Sequence, residues 1–194
     1  MTTSSTTASS TLANLLAPLI ALQRLLARFN DQGLIIGGVA ASLLGKPRLT
    51  ADVDAVMLVS TDDLPRLVQA AALEGLAPRI ADAEAFARRN RVLLLRHQDT
   101  GIDVDVSLGM LPFEVEAVER SVLYSLGDVS VRLPTPEDLI VFKAVAHRPR
   151  DLLDIQAIIA SHPGLDRARI QDWLRQFAQA LDMPELWDDI AGWL

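Results

Sequence analysis

The sequence predicts an α+β fold in which strands come first and helices last. Short apolar runs separated by turn residues fill the chain up to residue 134, residues 135–194 follow a helical pattern, and no segment repeats at a fixed period. The 194 residues are 50% hydrophobic, which suffices for one well-packed domain. We therefore expect a disordered leader at 1–11, a core with an N-terminal helix at 12–134, and a helical C-terminal region packed on that core at 135–194.

Apolar spacing and turn residues predict the elements of the core. A leucine stripe with three- and four-residue spacing predicts the N-terminal helix, in which Pro18 marks a start or a kink. The nearly continuous apolar run at 54–59 is typical of a strand covered on both faces. A turn between 92–97 and 102–108 predicts a β-hairpin. The remaining elements are a strand at 34–36, helices at 39–44, 62–73, 83–89 and 114–119, and one or two edge strands within 122–133.

The C-terminal region opens on a strong helix start. Thr135 is a capping residue, Pro136 suits the first helical position, and Asp138 lies three residues after the cap. Helices then continue to residue 194, with breaks at Pro149, Pro163-Gly164 and Pro184. The three tryptophans of this region are expected to anchor it to the core and not to stack on bases; they are Trp173, Trp187 and Trp193.

The composition excludes several classes of protein. No cysteine is present, which rules out disulfide scaffolds, thiolate metal sites and thiol nucleophiles. The net charge of −7 argues against a surface that coats nucleic acid, although a local basic groove stays open. The apolar run at 12–22 follows no basic residue and is too short to span a bilayer. We therefore expect a cytoplasmic protein without membrane association.

Two aspartates open the strand predicted around 54–59. Asp52 and Asp54 are two positions apart, so on a strand their side chains project from the same face. Like charges held this close are costly unless a cation lies between them, and Mg²⁺ is the usual solution. Chance alone yields about as many Asp-x-Asp pairs as the chain holds, so the spacing is informative only in its context.

The context is a glycine turn and a second pair of acids. Gly37 and Gly38 follow the strand at 34–36 and open a helix, where backbone amides can approach a phosphate. Asp103 and Asp105 lie on a neighbouring predicted strand and also share a face. An ordinary tight turn with solvated acidic strand ends explains the same spacing equally well.

The order of these motifs resembles the DNA polymerase β-type nucleotidyltransferase superfamily. The matching segments are Gly37-Gly38, Asp52-Val53-Asp54 thirteen residues later with Arg48-Leu49-Thr50 just before it, and Val104-Asp105-Val106. The segments 133–143 and 148–154 are similar to the AbiEii-like branch, the toxins of type IV toxin–antitoxin systems and their bacterial relatives. The resemblance spans residues 33–154. It implies a nucleotidyltransferase-type mixed β-sheet flanked by helices, with a C-terminal helical extension.

The resemblance implies a metal site built from aspartates. Asp52 and Asp54 would bind two Mg²⁺ or Mn²⁺ ions as catalytic residues. Asp105 would complete the site as the third carboxylate and help deprotonate the acceptor hydroxyl. Asp103 lies two residues before Asp105, so it shares the same face of the strand, and it is the reserve candidate.

A phosphate site is implied as well. Backbone amides near Gly37 and Gly38, together with Lys143, would hold the β- and γ-phosphates of an NTP such as ATP. Arg48 and Thr50 are further nucleotide-binding candidates, although a surface arginine before a strand is common. Gly38 stands where many members of this superfamily have Ser, so no hydroxyl assists the phosphate from that position.

The residues around Lys143 allow more than one interpretation. On a helix Lys143 shares a face with apolar residues, so it is either a snorkelling side chain or a charge that reaches the triphosphate. Asp151 and Asp154 lie one turn apart, and they either orient Lys143 by a salt bridge or cap and solvate their own helix. His147 is expected to be structural or exposed.

The implied reaction transfers a nucleoside monophosphate from an NTP to an acceptor hydroxyl. The toxin-like branch implies tRNA 3′ ends as the acceptor and a cognate antitoxin as a partner. The negative net charge suits a cationic small acceptor of the aminoglycoside or lincosamide type instead. A nucleotide-binding or partner-binding module with little catalysis is a third alternative.

An arginine cluster either forms a local track for RNA or solvates a helix and a hairpin; its members are Arg79, Arg88, Arg89, Arg91 and Arg96.

Overall fold

A computed structural model describes residues 4–127 and 129–194, with side chains from residue 15 onward. The helices are α1 Ser4–Ala27, α2 Gly37–Leu44, α3 Leu64–Leu73, α4 Ala83–Asn90, α5 Pro112–Glu119, α6 Pro136–Ala146, α7 Pro149–Ser161, α8 Arg167–Leu181 and α9 Glu185–Ala191. The strands are β1 Gly33–Ile36, β2 Asp52–Met57, β3 Leu76–Pro78, β4 Val92–His97, β5 Asp103–Leu108, β6 Val122–Leu126 and β7 Val129–Leu133. The predicted α+β class is confirmed.

The main sheet is mixed and contains five strands in the order β1-β2-β5-β4-β3. β2 and β5 are parallel, whereas the other neighbouring pairs are antiparallel, including the predicted hairpin of β4 and β5. The apolar residues of β2 and β5 are buried in the core, and α1 and α2 pack against β2. A mixed sheet flanked by helices is the fold that the sequence predicts.

A smaller sheet and the C-terminal helices complete the molecule. β6 and β7 pair antiparallel, and β7 packs against β1 and α1. Helix α6 begins where the sequence predicts, because the Thr135 hydroxyl accepts a hydrogen bond from the Asp138 amide at 3.3 Å. α6 packs against α2, α7, α8 and α9, so the helical region lies on the core. Its three tryptophans, Trp173, Trp187 and Trp193, are partly buried against the core.

The structure differs from the sequence-based prediction at two places. β3 was not predicted because a three-residue strand that ends in Pro78 is too short for a period to be read. Helix α1 begins at Ser4 and passes through Pro18, so this proline is not a helix start. Residues 4–11 of the predicted disordered leader belong to α1 in the structure, and residues 1–3 lie outside the described residues. Across residues 4–127 and 129–194, no helix combines the length and hydropathy that a membrane span requires.

Candidate active site

Four aspartates emerge side by side from the start of the two parallel strands. In the register of β2 and β5, Asp52 is opposite Asp103 and Asp54 is opposite Asp105. Residues opposite each other on neighbouring strands point to the same face of a sheet, as do residues two apart on one strand. All four carboxylates therefore share one face and one end of the sheet.

A glycine turn closes this end of the sheet against Asp54. Gly37 has φ +64°, a left-handed conformation that disfavours a side chain. A Cβ at position 37 would also lie 1.9 Å from Asp54 Oδ2. Ile36, the last residue of β1, is the register partner of Asp54, so the turn follows directly from the pairing of β1 with β2. Only glycine allows the backbone at the start of α2 to approach the carboxylate so closely.

Thr50 fills the space beside Gly38. A Cβ at position 38 would lie 2.3 Å from the Thr50 hydroxyl oxygen and 3.4 Å from Arg48 Nη2. The Thr50 hydroxyl donates a hydrogen bond to Asp52 Oδ1 at 2.9 Å. A hydroxyl from position 50 thus occupies the place next to the turn where a serine side chain at position 38 would begin.

Burial and neighbouring carboxylates raise the proton affinity of Asp54 and Asp105. Burial, together with the charges of Asp52 and Asp105, raises the pKa of Asp54 to about 6. Burial also raises the pKa of Asp105, against the opposing effect of the Arg79 guanidinium. These shifts mean that nearby positive charges do not fully compensate the negative charge of ionised Asp54. A hard divalent cation would supply that charge, because it binds oxygen ligands of this kind.

Asp105 is held by an arginine that sequence reasoning did not connect to it. Arg79, which directly follows β3, places Nη2 2.8 Å from Asp105 Oδ1 and donates a hydrogen bond to Asp105 Oδ2 at 3.0 Å. Asp105 Oδ1 is itself buried without an aligned hydrogen bond. Asp103, the reserve candidate, pairs with Arg79 at 2.6 Å and with Arg96 at 2.7 Å, so it is already bound by two guanidinium groups.

The acidic residues therefore fit a divalent metal to different degrees. Asp52 and Asp54 offer oxygen ligands from one face, and the raised pKa of Asp54 marks an uncompensated charge. Asp105 fits as a third ligand once Arg79 has released it. Within the described part of the chain, no group of three acidic or histidine side chains already forms a preassembled metal site.

Lys143 lies in an ion-paired cluster behind the aspartates. Its side chain is buried, and Nζ lies 2.8 Å from Asp151 Oδ1 and 2.9 Å from Asp154 Oδ2. The salt-bridge alternative for Asp151 and Asp154 is thus what the structure shows, and the snorkelling alternative for Lys143 is not. Asp151 also caps α7, since its Oδ2 accepts a hydrogen bond from the Arg148 amide at 3.3 Å.

A cleft of about 140 Å³ joins the aspartates to three arginines. Arg48 was a sequence candidate, whereas Arg148 and Arg150 were not assigned a role. Their signal was available in the Arg-Pro-Arg-Asp segment, in which Arg148 is the N-cap of α7 and Arg150 belongs to its first turn. The cleft is lined by Gly38, Arg48, Thr50, Asp52, Asp54, Lys143, Arg148, Arg150 and Asp151.

Four of the five arginines of the predicted cluster have partners within the fold. Arg79 and Arg96 pair with the aspartates of β5, Arg91 donates to the Leu108 carbonyl oxygen at 2.7 Å, and Arg88 lies 3.7 Å from Asp62. Each of these four side chains has an acidic or carbonyl partner. Arg89, the fifth member, is exposed. Most of the cluster is therefore engaged in local contacts.

Comparisons with known proteins support the fold. No curated protein shows significant sequence similarity to the chain. An antigenic nucleotidyltransferase-like protein from Paracoccidioides brasiliensis is 19% identical with a TM-score of 0.50, over 93% of this chain and 90% of its own. The solution structure of the antibiotic-resistance factor ANT(2'')-Ia is 15% identical with a TM-score of 0.52, over 88% of this chain and 96% of its own. At these identities the likeness concerns the fold alone.

One family model covers most of the sequence. It is described as "Nucleotidyltransferase of unknown function (DUF6036)" and matches residues 14–162, which include β1, the glycine turn, all four aspartates and Lys143. The AbiEii-like branch is not among the matches, so the resemblance holds at the level of nucleotidyltransferases. The chain belongs to the DUF6036 family of nucleotidyltransferases.

Proposed function

We propose that the protein transfers a nucleoside monophosphate from an NTP to an acceptor hydroxyl with release of pyrophosphate. One observation carries the proposal: Asp52, Asp54 and Asp105 share a face above a glycine turn that approaches Asp54 closely. The cleft beside them carries arginines, which bind phosphate well. Adjacent carboxylates and guanidinium groups suit a substrate that binds with a metal, because the carboxylates can bind the metal and the guanidinium groups can bind the phosphates.

Asp52 and Asp54 are the proposed ligands of Mg²⁺ or Mn²⁺. A bound divalent metal supplies neutralisation of phosphate charge and lowers the pKa of an attacking hydroxyl. Gly38 lines the cleft, and the backbone amides at the start of α2, at Gly37 and Gly38, are the proposed contacts for the triphosphate. Thr50 holds Asp52 in place by its hydrogen bond.

Asp105 is the proposed third metal ligand and the proposed general base. Its raised pKa favours acceptance of a proton, and its buried Oδ1 lacks an aligned hydrogen bond. The acceptor oxygen forms a bond to the α-phosphorus, the bond from that phosphorus to the bridging oxygen breaks, and pyrophosphate leaves. The hydroxyl proton moves to Asp105. This step requires Arg79 to withdraw from the carboxylate.

A cationic small molecule with a hydroxyl group, of the aminoglycoside or lincosamide type, is the proposed acceptor. The net charge of −7 and the ion pairs that bind Arg79 and Arg96 to aspartates favour a cation over a polyanion. A tRNA 3′ end is the second candidate, favoured by the exposed Arg89 of the arginine cluster. A toxin with an antitoxin partner belongs to this second candidate.

The test is incubation with each α-labelled NTP and Mg²⁺ or Mn²⁺, against pooled aminoglycosides and lincosamides in one arm and total tRNA in the other. Label in the small-molecule fraction supports the first acceptor, and label in tRNA supports the second. The double variant Asp52→Asn with Asp54→Asn should abolish transfer. Asp62→Asn with Asp99→Asn removes the same charge at exposed positions and should leave it unchanged. NTP binding without transfer in either arm would favour a binding module.

A further inference from the structure

Lys143 is the centre of a run of alternating charges. Its ammonium bridges Asp151 and Asp154, and each aspartate reaches an arginine on its other side. Arg48 Nε and Nη2 each lie 2.8 Å from an oxygen of Asp154, and Arg148 Nε lies 2.6 Å from Asp151 Oδ2. We call this row, Arg48–Asp154–Lys143–Asp151–Arg148, the charge chain. It holds three cations and two anions and ends in a guanidinium at both sides of the cleft.

The interior of the charge chain is committed to internal pairing. Asp151 is 1% exposed and Asp154 is 7% exposed, so unpaired carboxylates there would be strongly destabilising. Burial opposes the ionisation of both, but hydrogen bonds from Arg148 and Lys143 to Asp151, and from Arg48 and Lys143 to Asp154, lower their pKa values. Two of the three N–H groups of Lys143 are thereby aimed away from a ligand.

The outer end of the charge chain has a different character. The Arg148 side chain is 71% exposed although its Nε is bound to Asp151. Arg150, two residues further, is also exposed and lines the same cleft. A guanidinium presents parallel N–H groups that match two phosphate oxygens, whereas a buried ammonium acts only as a point charge. The exposed arginines are better placed than Lys143 to contact a polyphosphate.

We propose that Arg148 and Arg150 bind the phosphates of the NTP and that Lys143 is a positioning residue. In this proposal, which rests on the proposed function for the identity of its ligand, Lys143 holds Asp151 and Asp154, and these hold Arg148 and Arg48 at the cleft. The proposal gives Lys143 an indirect role, in contrast to the sequence-based expectation that Lys143 itself contacts the triphosphate.

The first test measures binding of inorganic tripolyphosphate by calorimetry, without NTP or acceptor. Arg148→Gln and Arg150→Gln should each weaken binding about tenfold, the loss of one charge-assisted contact. Arg167→Gln, at the exposed start of α8, removes the same charge elsewhere and should change binding less than twofold. Failure of the wild-type protein to bind tripolyphosphate, or equal losses in all three variants, would overturn the proposal.

The second test separates positioning from direct contact. Asp151→Asn releases Arg148 without removing a cation, so it should weaken tripolyphosphate binding about fivefold or more. The double variant Asp151→Asn with Arg148→Gln should bind tripolyphosphate almost as well as Arg148→Gln alone, because both changes act on the same guanidinium. Lys143→Met should behave like Asp151→Asn. If Lys143 contacts the ligand directly, the double variant Lys143→Met with Arg148→Gln should lose tripolyphosphate affinity by the product of the two single losses. Asp151→Asn alone decides the question if Lys143→Met does not fold.

These measurements stand apart from the test of the proposed function. Arginine-dependent tripolyphosphate binding that ATP displaces, with no transfer to any acceptor, supports this proposal while the proposed function fails. Transfer that proceeds with an unchanged KM for NTP in Arg148→Gln and Arg150→Gln overturns this proposal while the proposed function stands.

Discussion

Arg79 Nη2 lies 2.8 Å from Asp105 Oδ1, so the third carboxylate of the candidate site is ion-paired to the neighbouring segment. Arg79→Gln should destabilise the metal-free protein by about 1 kcal/mol, because a partly exposed pair contributes little. The same change frees Asp105 as an oxygen ligand. The increase in Tm on addition of Mn²⁺ should therefore be larger in Arg79→Gln than in the wild-type protein.

The control for this measurement is Arg96→Gln. Arg96 pairs with Asp103 alone, at 2.7 Å. Its replacement by glutamine therefore removes the same charge near β5 without releasing Asp105. Its response to Mn²⁺ should equal that of the wild-type protein. A smaller Mn²⁺ response in Arg79→Gln than in Arg96→Gln would mean that Asp105 is not a ligand.

Asp54 should lower the free energy of unfolding when it is ionised and no metal is bound. Its folded-state pKa of about 6 exceeds the ordinary value of 3.8, so its contribution to stability is complete below pH 3.8 and is lost as the pH rises through 6. Asp54→Asn should stabilise the metal-free protein at pH 7.5 by up to about 3 kcal/mol, at 1.36 kcal/mol per pKa unit. Urea unfolding in EDTA at pH 7.5, 6 and 4 measures the difference. An equal gain at all three pH values would refute this account.

Local patterns predicted the parts of the site that lie close together in sequence. The glycine turn and the Asp52-Val53-Asp54 pair are short-range features, because spacing on a strand determines the face of each side chain. The helix start at Thr135 is equally local, since a cap involves residues three apart. A resemblance to nucleotidyltransferases then supplied the order of the motifs.

Contacts between distant segments were not predictable in the same way. Arg79 and Asp105 are 26 residues apart and meet only because β3, β4 and β5 are adjacent in the sheet. Arg48 and Asp154 are 106 residues apart and meet because α2 packs against α7. No spacing rule links such pairs, so the sequence left the partners of Lys143 and Asp105 undecided.

Asp151 should support the fold at neutral pH and lose this effect in acid. Its folded-state pKa lies below 3.8, so the stability that it contributes is present above that value and is lost as the pH falls towards the folded-state pKa. Asp151→Asn should cost about 2 kcal/mol at pH 7, because Lys143 and Arg148 each lose a partner. Urea unfolding at pH 7, 5 and 3 should show the two proteins converging in acid. A constant difference down to pH 3, or the same behaviour in the exposed control Asp99→Asn, would contradict the prediction.

Positions 38 and 50 should be coupled. Gly38→Ser would place a Cβ 2.3 Å from the Thr50 hydroxyl oxygen and 2.8 Å from Thr50 Cβ, so this overpacking should cost about 2 kcal/mol of unfolding free energy. Thr50→Ala removes the closer contact and leaves the other. The double variant Gly38→Ser with Thr50→Ala should therefore recover about half of the loss, which a double-mutant cycle measures as a coupling energy of about 1 kcal/mol.

The matched control for this cycle is Gly164→Ser. A Cβ at position 164 meets no atom within 4 Å, so serine there should change stability by no more than about 0.5 kcal/mol. If Gly38→Ser is as harmless as Gly164→Ser, Thr50 does not fill the space beside the turn. Coupling in the expected direction would mean that the Thr50 hydroxyl and a serine hydroxyl at position 38 compete for one place. The absence of serine at position 38 would then be a consequence of packing by Thr50 and not a loss of the phosphate site.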